Sequence, residues 1–190
     1  MNLKFGNFAV EIDAERTARF YRESAKSTSE WCTCRGCQNF DKAVLKAPAA
    51  VLEFFAAMGI DPRKPAEACD AAGELFDDGT VYYWGFYHVC GKITEMPDCW
   101  KAGASAEEKT ADLQRATMYR PDGTADFEFG FTDNINLLEE GFPEPCIQLE
   151  FDMCLPCVLP GLYETEEPIK RATKSGLCQN RRNYAKAYIK

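Results

Sequence analysis

The chain has 190 residues, 46% of them hydrophobic, and 30 acidic against 22 basic side chains, for a net charge of −8. That is the size of one ordinary domain with enough apolar matter for a core, which excludes a chain disordered throughout. The longest apolar stretch, 51–60, contains Glu53 and falls far short of the roughly 20 residues needed to cross a bilayer, so no membrane segment is expected.

The charge is unevenly spread. Residues 168–190 carry seven Lys or Arg and no acid, which leaves 15 basic against 30 acidic groups in residues 1–167, a net of −15. An acidic body repels phosphate backbones, so a nucleic-acid role would have to rest on the basic tail alone. The first ten residues lack the charged start and long apolar run of an export signal, and the expectation is a cytoplasmic chain with reduced thiols.

In chain order, 3–12 alternates apolar and polar residues with a change of face near Gly6, and reads as one strand opening a sheet. Residues 14–26 mix charges with Ala18, Phe20, Tyr21 and Ala25, which suits a short amphipathic helix or a loosely ordered approach to the cysteines. From Gln38 to Met58, apolar residues recur at helical spacing, interrupted by Pro48, so two helical segments are predicted, with Gly59 as a C-cap and Asp61-Pro62 as a stop. A further short helix is expected over 65–75, ending at Asp77-Asp78-Gly79.

Residues 80–94 are dense in aromatic and β-branched side chains and should form a central strand. Alternation places Val81, Tyr83, Gly85, Tyr87 and Val89 on one face and Tyr82, Trp84, Phe86, His88 and Cys90 on the other. Ser105-Ala-Glu-Glu108 has capping-box spacing for a polar helix or excursion to residue 116, and 118–124 reads as a hairpin turn. Beyond it, 126–132 gathers Phe127, Phe129 and Phe131 on one face. In the last strand, 146–153, Ile147, Leu149, Phe151 and Met153 face inward and Gln148, Glu150 and Asp152 outward. The whole predicts an α+β fold, a mainly antiparallel sheet with helices on one face. The domain runs over 1–165 with a cysteine-rich loop at 31–40, and 166–190 forms a basic tail.

The chemistry concentrates in Cys32, Cys34 and Cys37, three soft donors within six residues. Thiolates so spaced can converge on one thiophilic ion, zinc above all, without closing a long loop. A structural zinc site takes four ligands, and the fourth must come from elsewhere: His88, the only histidine, or Cys90, or the pair Cys154 and Cys157. Cys34-Arg-Gly-Cys37 followed by helical sequence also suits thiol-redox chemistry, since a helix N-terminus lowers a thiol pKa. A hydrolase would have to use His88 as its base. The remaining cysteines read as small buried apolar residues. No Gly-rich phosphate loop, HExxH or GxSxG occurs.

The cysteine segment 31–40, taken with Trp84-Gly-Phe-Tyr-His-Val-Cys-Gly91, resembles a pattern of uncharacterised bacterial proteins of similar length. The resemblance covers about residues 1–160, implies no activity, and adds weight to a link between the cysteine loop and His88. The expectation is a cytoplasmic metal-binding domain, with zinc on Cys32, Cys34, Cys37 and His88, acting as a binding or interaction protein. The alternative is a metal- or thiol-dependent enzyme, hydrolase or thiol-redox, that uses the same residues.

Overall fold

The computed structural model describes residues 1–5, 8–23, 26–76, 78–96, 116–119 and 125–162. Its elements are β1 (Asn2–Phe5), β2 (Phe8–Ile12), α1 (Ala14–Glu23), α2 (Thr28–Trp31), α3 (Arg35–Ala43), α4 (Ala49–Met58), β3 (Glu67–Leu75), β4 (Thr80–Glu95), β5 (Ala116–Tyr119), β6 (Ala125–Thr132) and β7 (Cys146–Pro156). The expected 105–116 helix falls almost wholly outside the described residues, as does the basic tail.

The fold is α+β, built on a seven-stranded sheet ordered β1-β2-β4-β7-β6-β5, with β3 also paired to β4 and every pairing antiparallel. Central β4 pairs with β7 from Thr80↔Pro156 to Cys90↔Cys146. Its other edge is shared by β3, along Val81 to Phe86, and β2, along Gly91 to Glu95. Between them the edge would be bare, and α1 closes it. Tyr21 Oη donates to His88 O at 3.0 Å, Cys90 N donates to Thr17 Oγ1 at 3.0 Å, and Asp13 N donates to Cys90 O at 2.8 Å. Two side chains and one backbone N–H thereby satisfy strand groups that would otherwise be buried unpaired.

The face carrying Tyr83 and Tyr87 receives α3 and α4. Phe40 meets Tyr83 and Phe151 at 5.2 and 6.0 Å between ring centres, and Phe55 meets Tyr87 and Phe127 at 5.0 and 5.4 Å. Phe127, Phe129 and Phe131 share one buried face, as the alternation of β6 requires. Gly59 ends α4 with φ 76°, a left-handed C-cap that favours glycine. No helix among the described residues is long and apolar enough to cross a membrane.

Three local expectations are corrected. Residues 3–12 form an antiparallel hairpin instead of one strand, with Phe5 paired to Phe8. The same apolar–polar alternation serves two short paired strands as well as one long one. The expected 65–75 helix is the strand β3, whose residues 67–70 pair with 86–83 of β4. Alanine-rich sequence prefers helix by only a few tenths of a kcal/mol per residue, and pairing with a neighbouring strand outweighs that. Gln148, expected outward, is 1% exposed, because its Oε1 accepts Asn136 N at 2.9 Å from the connection laid over it.

Gly85 admits β3 to the sheet: a β-carbon there would fall 2.0 Å from Glu67 O and 2.9 Å from Phe151 Cζ. Gly85→Ala is expected to lower the unfolding free energy by about 1–3 kcal/mol, the cost of overpacking. Urea denaturation would measure the loss, and hydrogen exchange should show β3 as the first element released.

Candidate metal centre

The turn that carries the cysteines is held at both ends. Upstream, α2 is anchored by Thr28, whose N donates to Arg63 O at 3.0 Å and whose Oγ1 donates to Cys37 O at 3.1 Å. The Glu30 carboxylate accepts Ser27 N at 2.6 Å, which caps the first turn of α2. Downstream, α3 begins on Cys34 itself, whose Sγ accepts Cys37 N at 3.4 Å as a sulfur N-cap. Successive cysteines therefore project around a helix start, where unpaired N–H groups favour negative charge.

Beneath the turn lies a buried polar junction. Asn39, 0% exposed, donates from Nδ2 to Tyr83 Oη at 3.0 Å and to Pro156 O at 3.3 Å, and its Oδ1 accepts Val158 N at 2.7 Å and Leu159 N at 3.2 Å. Tyr83 Oη in turn donates to Gly36 O at 3.1 Å. Arg35 closes the outer side by donating to the carbonyls of Pro160 and Gly161. The turn is thus fixed to β4 and to the chain leaving β7.

The Sγ atoms of Cys32, Cys34 and Cys37 all lie within 4.8 Å of one another, close enough to hold one metal ion. Cys37 is buried, Cys32 half-buried and Cys34 exposed, so the group opens to solvent at Cys34. Hydrogen bonds from the Cys34 backbone and side chain, then from Cys37, lower the pKa of the Cys32 thiol. Burial pushes the Cys37 thiol up, and the neighbouring sulfurs add to that. A divalent cation would relieve this opposition, because it stabilises every thiolate it touches.

His88 is placed elsewhere. It is 3% exposed, 5.9 Å from the Phe86 ring and 5.6 Å from that of Phe142, and its Nε2 lies 2.9 Å from Asn136 O. A carbonyl only accepts, so Nε2 carries the proton. The physical reason is alternation: α3 and its turn dock on the Tyr83 face of β4, and His88 lies on the opposite face. The sulfur group does not include it.

The other sulfur candidates are also apart from that group. Cys90 is fully buried at the α1 junction, and burial raises its thiol pKa. Cys154 lies opposite Tyr82 on the His88 face, and Cys157 Sγ points to Leu159 O at 3.6 Å. Two nearby residues of β3 escaped sequence reasoning because the segment was read as helix. Cys37 Sγ approaches Ala68 O at 4.0 Å, and a β-carbon on Gly36 would fall 2.8 Å from Asp70 Oδ2. An open cavity of about 610 Å³ lies at the far end of β4, lined by Ile93, Met96, Asp133 and Cys146 among others and by none of the three clustered cysteines.

Compared with protein-family models, curated proteins and solved structures, the chain matches none.

Burial lowers the His88 pKa from its ordinary 6.5, so the folded chain holds it neutral where the unfolded chain takes up a proton. Its contribution to stability is therefore complete above about pH 6.5 and declines as pH falls below that value. Urea midpoints between pH 8 and 5.5 should drop on the acid side, and His88→Gln should flatten that part of the profile.

Proposed function

We propose that this chain is a metal-binding domain in which Cys32, Cys34 and Cys37 hold a zinc ion, and that it acts as a binding or interaction protein whose shape the metal maintains. The observation that carries the reading is the convergence of three sulfurs within 4.8 Å of one another at the junction between α2 and the start of α3. Thiolates are soft donors that suit zinc, and ligands from one short turn need little reorganisation to receive it. Binding would require deprotonation of the thiols, so uptake should weaken as pH falls. The strongly acidic residues 1–167 speak against a phosphate-backbone partner.

One observation favours a second reading. Cys34 is the exposed N-cap of α3 and Cys37 is buried one turn later with a raised thiol pKa, which is also the disposition of a thiol-redox pair. Elemental analysis of untagged protein purified without added zinc separates the two. The expected result is about one zinc per chain, with the cluster thiols unreactive until a chelator is added. A metal-free protein with freely reactive thiols would defeat the zinc reading in favour of a redox pair. The triple change Cys32→Ser, Cys34→Ser and Cys37→Ser should abolish uptake and lower the thermal midpoint towards that of the chelated parent.

A further inference from the structure

Three thiolates leave one position of a tetrahedral ion to be filled. Four features of β3 bear on it. Residues Ala68 and Asp70 pair with Gly85 and Tyr83, so alternation puts both on the Tyr83 face, where α3 docks. Cys37 Sγ already reaches Ala68 O at 4.0 Å, which brings this strand alongside the cluster. At Gly36, inside the CxCxxC turn, a β-carbon would fall 2.8 Å from Asp70 Oδ2, 2.9 Å from Cγ and 3.2 Å from Oδ1. The carboxyl group therefore occupies the space a side chain would take, packed on the turn between Cys34 and Cys37. Finally, the register of β3 against β4 shifts between Asp70 and Leu75, the kind of irregularity that re-aims a side chain.

We infer that Asp70 is the fourth metal ligand, and that the ion ties the cysteine turn to β3. The inference rests on the proposed Cys32, Cys34 and Cys37 site and adds to it an oxygen donor and a structural consequence. Zinc accepts carboxylate oxygen beside thiolate sulfur, so the donor set is chemically ordinary. Asp70 lies outside the group whose ligand atoms all fall within 4.8 Å of one another, so its carboxylate would have to move towards the sulfurs on binding, whereas the competing donors face away. Cys69 pairs with Trp84 on the opposite face, its Sγ turned to Glu67 Oε1 at 3.7 Å, and His88 is held on that same face by Asn136.

The test is cobalt(II) titration of the full chain under reducing conditions, followed in the visible and near-ultraviolet, with circular dichroism to check folding. The parent should bind one cobalt with the bands of a tetrahedral site and with thiolate-to-cobalt charge transfer. Asp70→Ala should bind it at least about tenfold more weakly, since loss of even a ligand's hydrogen-bonded neighbour costs that much. Asp70→Cys should restore tight binding with stronger charge transfer and visible bands at longer wavelength, as a fourth thiolate requires, and Cys69→Ser should match the parent. Chelation of the zinc-loaded parent should speed hydrogen exchange in residues 67–70 more than in β6.

Each adverse result has a distinct meaning. If the parent takes up no cobalt and holds no zinc, the metal site itself falls and this assignment with it. If the parent binds but Asp70→Ala has the same affinity and spectrum, or Asp70→Cys keeps the parent's spectrum, the three-cysteine site stands and Asp70 is overturned as its ligand. If Cys69→Ser loses the site, Cys69 displaces Asp70.

Discussion

The hydrogen bonding of one buried amide determines where the cysteine turn can sit. Asn39 has two donors and two acceptor lone pairs, and all four are used, toward Tyr83, Pro156, Val158 and Leu159. A buried amide with unmet groups is costly, so α3 has few ways to pack other than with Asn39 over the hydroxyl of Tyr83. Because Tyr83 then donates to Gly36 O, the same network reaches into the turn between Cys34 and Cys37. Helix, central strand and the end of β7 are joined at this point, and the three sulfurs are positioned as a consequence.

The second constraint is the two-sidedness of β4. Its aromatic residues divide between faces by simple alternation, and each face has a different task. Tyr83 and Tyr87 meet α3 and α4 in the aromatic core. His88 and its cross-strand neighbour Gln148 are covered instead by the connection carrying Asn136 and Phe142. His88 is buried among aromatic rings, held neutral by that burial, and its Nε2 is committed to a carbonyl. The cysteine turn and the histidine thus belong to one strand's two opposite surfaces, which is why the group of three close sulfurs does not include His88.

Several elements were legible because their signals are local. The 3.6-residue spacing of α4, its glycine cap, and the period-two alternation of β4, β6 and β7 each depend on residues a few positions apart. The errors share a different cause. Alternation over residues 3–12 suits one strand or two, and only the pairing of Phe5 with Phe8 decides between them. Residues 67–75 have helical composition, and only the strand beside them, admitted by the missing side chain of Gly85, makes them β. Gln148 looked outward because alternation says which side a residue is on but not what covers that side.

By itself the sequence determined the α+β class, the faces of the long strands and the closeness of three sulfurs, because each follows from the geometry of a short stretch of chain. Spacing within six residues confines Cys32, Cys34 and Cys37 to one neighbourhood whatever the rest of the molecule does. Tertiary structure alone decided that His88 stands apart, that Asp70 packs on the turn, and that an alanine-rich segment becomes a strand. Those outcomes depend on which distant segments share a sheet edge or a sheet face. Such pairings arise from the joint packing of many residues, and no local window of sequence contains them.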